Sequence, residues 1–173
     1  VRQALFDSLW HAPWAGRERV EGARVLDAFA GTGALGLEAL SRGASHVSFI
    51  EQDRAALAAL RANIAALREG DATRVIAGDA TRPPRAAAPC TLVFLDPPYG
   101  QELVPRALAA LGAAGWIASG ALVVAEVGRT EPLDPSGYGP LEERTHGAAR
   151  LVILSAPPLL PAPVTGEGRV GGS

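Results

Sequence analysis

Hydrophobic positions along the chain repeat with two different periods. Arg24–Ala28, His46–Ile50, Thr73–Ala77, Thr91–Leu95 and Ala121–Glu126 are short, nearly continuous apolar runs, the pattern of strands buried on both faces of a parallel sheet. Between them, Gly33–Arg42, Asp53–Leu67 and Gln101–Leu111 carry apolar residues at helical spacing, with Asp53 placed as an N-cap and Gly43 as a C-terminal stop. Val1–Trp10 predicts a further helix, with Val1, Leu5 and Leu9 along one side. Leu141–His146 and Ala149–Leu154, joined through Gly147, read as a closing antiparallel hairpin. The expected architecture is α/β: one mostly parallel seven-stranded sheet with helices on both faces, and ligands bound beyond the strand C-terminal ends. From Ala156 onward the chain has four prolines and no periodicity, so residues 1–155 are expected to form one domain and 156–173 a flexible tail.

Composition narrows the picture. A chain of 173 residues suits one domain with a full core. Hydrophobic content of 48% without an apolar run of roughly twenty residues predicts a soluble globular protein rather than a membrane one. No leader pattern opens the sequence and Cys90 has no partner cysteine, which together predict a cytoplasmic location and a small buried role for Cys90. His11, His46 and His146 lack metal-ligand spacing, so no metal is expected. All 16 basic residues are arginine and the net charge is −2, so any nucleic-acid contact must use a local basic surface. Arg17 and Arg19 read as solvated, Asn63 as a surface polar residue, and Arg82 and Arg85 lie on a loop that suits phosphate contact or a floppy connection equally.

Two stretches carry chemistry. Asp96-Pro97-Pro98-Tyr99 ends an apolar strand, and the two prolines hold the backbone in a rigid extended turn that offers a carboxylate and a carbonyl as paired acceptors beside an aromatic ring. A planar group with an exocyclic amine, such as a nucleobase, fits that set. Upstream, Asp27 is followed by Gly31, Gly33 and Gly36 between a strand and a helix, a turn that lets a ligand approach the backbone at a helix N-terminus. Glu51 ends the next strand, where one carboxylate can accept from both hydroxyls of a ribose. The same glycines match a dinucleotide fingerprint, so an NAD-dependent oxidoreductase is an alternative, although it leaves Asp96-Pro97-Pro98-Tyr99 unexplained.

With Val1-Arg2-Gln3-Ala4-Leu5-Phe6, the run from Leu26 through Gly36 to Ser41-Arg42-Gly43-Ala44, and Phe94 through Tyr99, the chain resembles the class I S-adenosylmethionine-dependent methyltransferases. Within that class it is similar to the bacterial family that methylates the N2 amine of a guanine in small-subunit ribosomal RNA. The resemblance covers roughly Val1 to Leu154 and implies a Rossmann-like methyltransferase domain. It implies that Asp27, Phe29, Ala30, Gly31, Thr32, Gly33, Glu51, Gln52, Asp79 and Ala80 bind S-adenosylmethionine, with Asp79 accepting from the adenine amine. Asp96, Pro97, Pro98 and Tyr99 would orient the acceptor amine and stack on its base. Gln3 stands where the family usually has Glu, and Asp7 where it often has Asn, which puts any carboxylate role at position 3 in doubt. The resemblance further implies an arginine-rich segment ahead of the first helix motif. Ribosomal RNA or a small-subunit assembly intermediate is the expected partner, acted on by a monomer. Adenine N6 or cytosine N4 in other RNA or DNA is the alternative acceptor, since the motif reads only an amine and a ring face.

Overall fold

A computed structural model describes residues 5, 6, 11, 12 and 16–158. Of the expected helix Val1–Trp10, only Leu5 and Phe6 fall among these residues; both are helical and buried. Residues 159–173 of the expected tail lie outside them, whereas Ala156 is still tied to the sheet through its N–H to the Ala121 carbonyl at 2.8 Å.

Seven strands form one sheet: β1 (Arg24–Asp27), β2 (His46–Glu51), β3 (Thr73–Ala77), β4 (Cys90–Leu95), β5 (Ile117–Gly128), β6 (Gly139–His146) and β7 (Ala149–Ser155). Their order is β3-β2-β1-β4-β5-β7-β6, with the first five parallel and β7 antiparallel to both β5 and β6. This order discriminates between the two nucleoside-binding alternatives, because dinucleotide domains add a parallel sixth strand in the order 3-2-1-4-5-6. Here a hairpin inserts β7 beside β5 instead.

Three α-helices are described from end to end, α1 (Ala34–Ser41), α2 (Arg54–Leu67) and α3 (Leu103–Ala113). Asp53 caps α2 by accepting the Ala56 N–H at 2.9 Å, and Gly43, at φ +103°, follows the end of α1. Alternation along the strands builds two cores. Val25, Phe49, Leu92, Phe94, Leu122 and Val124 face one side with Leu60 and Ile64 of α2; Leu26, Ile50, Val93, Leu95, Val123 and Ala125 face the other with Leu108 and Leu111 of α3. Phe6 packs on Phe94 at 5.7 Å between ring centroids, which brings the N-terminal segment against the central strand.

Three local expectations need correction. The fifth strand runs from Ile117 to Gly128, six residues longer in all than the apolar run suggested, because Ile117 pairs with Cys90 of β4 at one end and pairing with β7 continues past Glu126 to Gly128 at the other. Asn63 is exposed but not idle: its Nδ2 donates to the Thr32 carbonyl at 3.0 Å and ties α2 to the glycine turn. The loop with Arg82 and Arg85 is anchored rather than floppy, since Trp116 Nε1 donates to the Pro84 carbonyl at 2.7 Å and Ala86 N–H to the Ala114 carbonyl at 2.9 Å. Cys90 is buried, and burial pushes its thiol up to about 11, consistent with a small core residue. No helix among the described residues is long and apolar enough to cross a membrane.

Candidate active site

Four neighbouring strands, β2, β1, β4 and β5, each deliver a carboxylate to the same edge of the sheet: Glu51, Asp27, Asp96 and Glu126. Parallel pairing makes this alignment unavoidable, because every C-terminal strand end lies on one side.

The turn after β1 is built around Gly31 and Asp27. Gly31 sits at φ +57° with open space where a Cβ would point, so its backbone can meet a ligand. Asp27 is buried, and its Oδ2 accepts the Gly36 N–H at 3.0 Å. That N–H belongs to the first turn of α1, where helical N–H groups have no intrahelical partner, and Gly33 at the N-cap offers no side-chain acceptor. Asp27 therefore holds α1 onto the sheet. Burial, less the relief from the Gly36 N–H, and the nearby Glu51 charge push its carboxyl up to about 7.

Glu51 closes the turn from the next strand. Its Oε1 accepts the Gly31 N–H at 2.8 Å, and its Oε2 accepts the N–H groups of Gln52 and Asp53 at 2.9 and 2.8 Å. Two carboxylate oxygens offer about four acceptor positions, so capacity remains for a ligand hydroxyl. A cavity of about 370 Å³ is lined by Phe29, Gly31, Glu51, Gln52, Ala80, Asp96, Pro97 and Pro98 of the expected residues, and also by Ala28, Ile50, Asp53 and Gly78. Asp27, Ala30, Thr32, Gly33 and Asp79 are not among its lining residues. Asp79 turns back to accept from the N–H and hydroxyl of Thr81 at 2.8 and 2.7 Å, and these bonds, with Arg82 and Arg106 nearby, hold its carboxyl below the ordinary value.

Asp96 is also in the wall of a second cavity, of about 430 Å³, bordered by Leu5, Leu35, Glu126, Arg144, His146 and Leu151 among others. Register explains the pairing of its two acids: Leu95 lies opposite Ala125, so Asp96 follows opposite Glu126. Partial burial, the adjoining Glu126 carboxyl and the charge of Asp27 together push Asp96 up to about 7. Tyr99 is half exposed, and its hydroxyl donates to Glu126 Oε1 at 3.0 Å. Glu131 pins the other end of the loop, accepting the N–H groups of Gly128 and Gly100 at 3.1 and 3.4 Å. Sequence reasoning missed both Glu126 and Glu131; the available signal for Glu126 was a single acid interrupting the apolar fifth strand. Among the described residues, no group of three His, Cys, Asp or Glu side chains could hold a metal ion.

Residues 1–155 match the protein family described as Conserved hypothetical protein 95. Ribosomal RNA small subunit methyltransferase D of Escherichia coli K12 is 37% identical over 149 residues, 85% of this chain and 72% of that protein. The chain belongs to this methyltransferase family. A solved Escherichia coli structure, provisionally designated a methyltransferase, is 33% identical and superposes with a TM-score of 0.77 over 91% of this chain and 85% of its own. More distantly, an RNA methyltransferase from Salinibacter ruber, solved with S-adenosyl-L-homocysteine, shares the fold at 18% identity and a TM-score of 0.64, over 92% and 94% of the two chains. In this family member the two cavities, of about 370 and 430 Å³, meet at Asp96.

Proposed function

We propose that this methyltransferase transfers a methyl group from S-adenosylmethionine to the exocyclic N2 amine of a guanine in small-subunit ribosomal RNA, in the cytoplasm. The observation that carries the reading is that Asp96 is common to two cavities, one beside the glycine turn and Glu51, the other beside Glu126, Arg144 and His146. A donor on one side and an acceptor base on the other would meet at that residue. The names of the curated relatives support ribosomal RNA as the substrate.

The first cavity fits the methyl donor. Its volume lies in the range of small-molecule sites, Gly31 leaves the turn open, Glu51 has acceptor capacity for a ribose, and the carboxylates of Glu51, Asp53 and Asp96 in its wall favour a cationic guest. When bound, the donor supplies an already activated sulfonium methyl group. The protein's own task is positioning. The Asp96 carboxylate and the Pro97 carbonyl each accept one N–H of the amine, which holds its remaining electron density toward the first cavity. The exposed ring of Tyr99 stacks on the base, worth about 1–3 kcal/mol by analogy with other stacked bases. After transfer the amine loses a proton, and the Asp96–Glu126 pair, poised by mutual repulsion, can accept it. Arg144, paired with Glu142 Oε1 at 2.8 Å, and His146 border the acceptor cavity.

Asp96→Ala tests the reading. Transfer to small-subunit RNA should be abolished while the dissociation constant for S-adenosylmethionine stays within a few-fold of wild type. Normal turnover by the variant would refute the orientation mechanism, and tight NAD binding with none for S-adenosylmethionine would refute the donor.

A further inference from the structure

We propose that Glu126 accepts the ring N–H adjacent to the target amine and thereby selects guanine over adenine and cytosine. The inference rests on the guanine-N2 reading above and adds to it a specificity-determining residue that the Asp96-Pro97-Pro98-Tyr99 stretch does not contain.

Three observations on the acceptor side carry it. The β4–β5 register sets Glu126 across from Asp96, and both border the same cavity, so their carboxyl groups face the same guest. The Tyr99 hydroxyl holds Glu126 through its bond of 3.0 Å to Oε1. Two adjacent carboxylates with no guest between them repel each other. A guest presenting two neighbouring N–H groups removes that conflict.

Nucleobases differ on this point. Guanine carries its exocyclic amine next to a protonated ring nitrogen, N1–H. In adenine and cytosine the ring nitrogen beside the amine is bare and presents a lone pair. Asp96 and the Pro97 carbonyl are both occupied by the hydrogens of the amine, so they read an amine and no more. Glu126 is the next acceptor along, and it meets either a donor, in guanine, or a lone pair. A site built to receive an N–H rejects analogues that lack it because its own polar group is left unpaired.

The test uses small-subunit RNA carrying either guanine or 2-aminopurine at the methylated position; 2-aminopurine keeps the amine and lacks the N1 proton. Wild-type kcat/KM should fall by roughly 100-fold on 2-aminopurine. Glu126→Gln, whose amide can turn its NH2 toward a bare ring nitrogen, and Glu126→Ala, which removes the acceptor, should each bring the ratio to within about tenfold. Comparable wild-type rates on the two bases would overturn the inference without any variant, as would a wild-type ratio retained by both variants. Transfer to guanine without discrimination would remove only this inference. No wild-type transfer to guanine would remove the guanine-N2 reading itself, and this inference with it.

Discussion

The packing of α1 against β2 sets the glycine turn, and replacing Gly36 by alanine measures how tightly. A Cβ there would lie 2.4 Å from Phe49 Cε1 and 2.8 Å from Val47 Cγ1, and both side chains are fully buried and have nowhere to move. Relief requires α1 to lift from the sheet, which draws the Gly36 N–H away from Asp27 Oδ2. Overpacking costs about 1–3 kcal/mol and an unsatisfied buried group about 1–3 more, against a helix-propensity gain of about 1. The net is a destabilisation of about 1–5 kcal/mol, or a fall in Tm of roughly 2–20 °C for a domain of this size. Gly112, in α3, is the control: it is exposed and nothing lies within 4 Å of its Cβ position. There the same substitution should raise stability by up to about 1 kcal/mol. Thermal unfolding of both variants by circular dichroism checks the sign in each case. A Gly36→Ala protein that melts at or above the wild-type temperature would refute the packing argument.

Other expectations follow from the acids and the ring. Because Asp96 must be unprotonated to accept an N–H, kcat/KM should rise with pH through about 7 and level off above it. Glu126→Gln removes a neighbouring charge, so the acidic limb should move to lower pH; a limb that stays in place would exclude Glu126 as its cause. Asp27 binds its proton more tightly folded than unfolded, so its contribution to stability is greatest at low pH and is lost as pH rises from about 3.8 through about 7. Wild-type stability relative to Asp27→Asn should therefore decline across that interval, and a constant difference in unfolding free energy would contradict the assignment. Tyr99→Ala should raise KM for RNA by about 5- to 150-fold through lost stacking, whereas Tyr99→Phe should change it much less; equal effects would mean that the hydroxyl, not the ring, matters. Glu51→Ala should weaken S-adenosylmethionine binding, and an unchanged dissociation constant by calorimetry would remove Glu51 from the donor site.

Local signals made the architecture readable. Continuous apolar runs marked the strands, Asp53 and Gly43 marked helix ends, and Gly147 marked the hairpin, each because the relevant physics acts within a few residues. The proline pair after Leu95 was readable for the same reason. What escaped depends on contacts between distant positions. Glu126 looks like a strand residue until the β4–β5 register sets it opposite Asp96, and Asn63 looks solvated until α2 brings it to Thr32, 31 residues away. Asp27 shows the converse. The resemblance placed it among the donor-binding residues, and in the structure its carboxylate faces inward and accepts the Gly36 N–H of α1. Sequence spacing located the residue, but only the packing of helix on strand decided which way its carboxylate faces.

The central claim is the transfer of a methyl group to a guanine N2. Its most direct test incubates the protein and labelled S-adenosylmethionine with small-subunit RNA and with assembly particles from cells lacking the protein, then analyses the product nucleosides. The account predicts N2-methylguanosine at one position; N6-methyladenosine, N4-methylcytidine or no labelled nucleoside at all would contradict it.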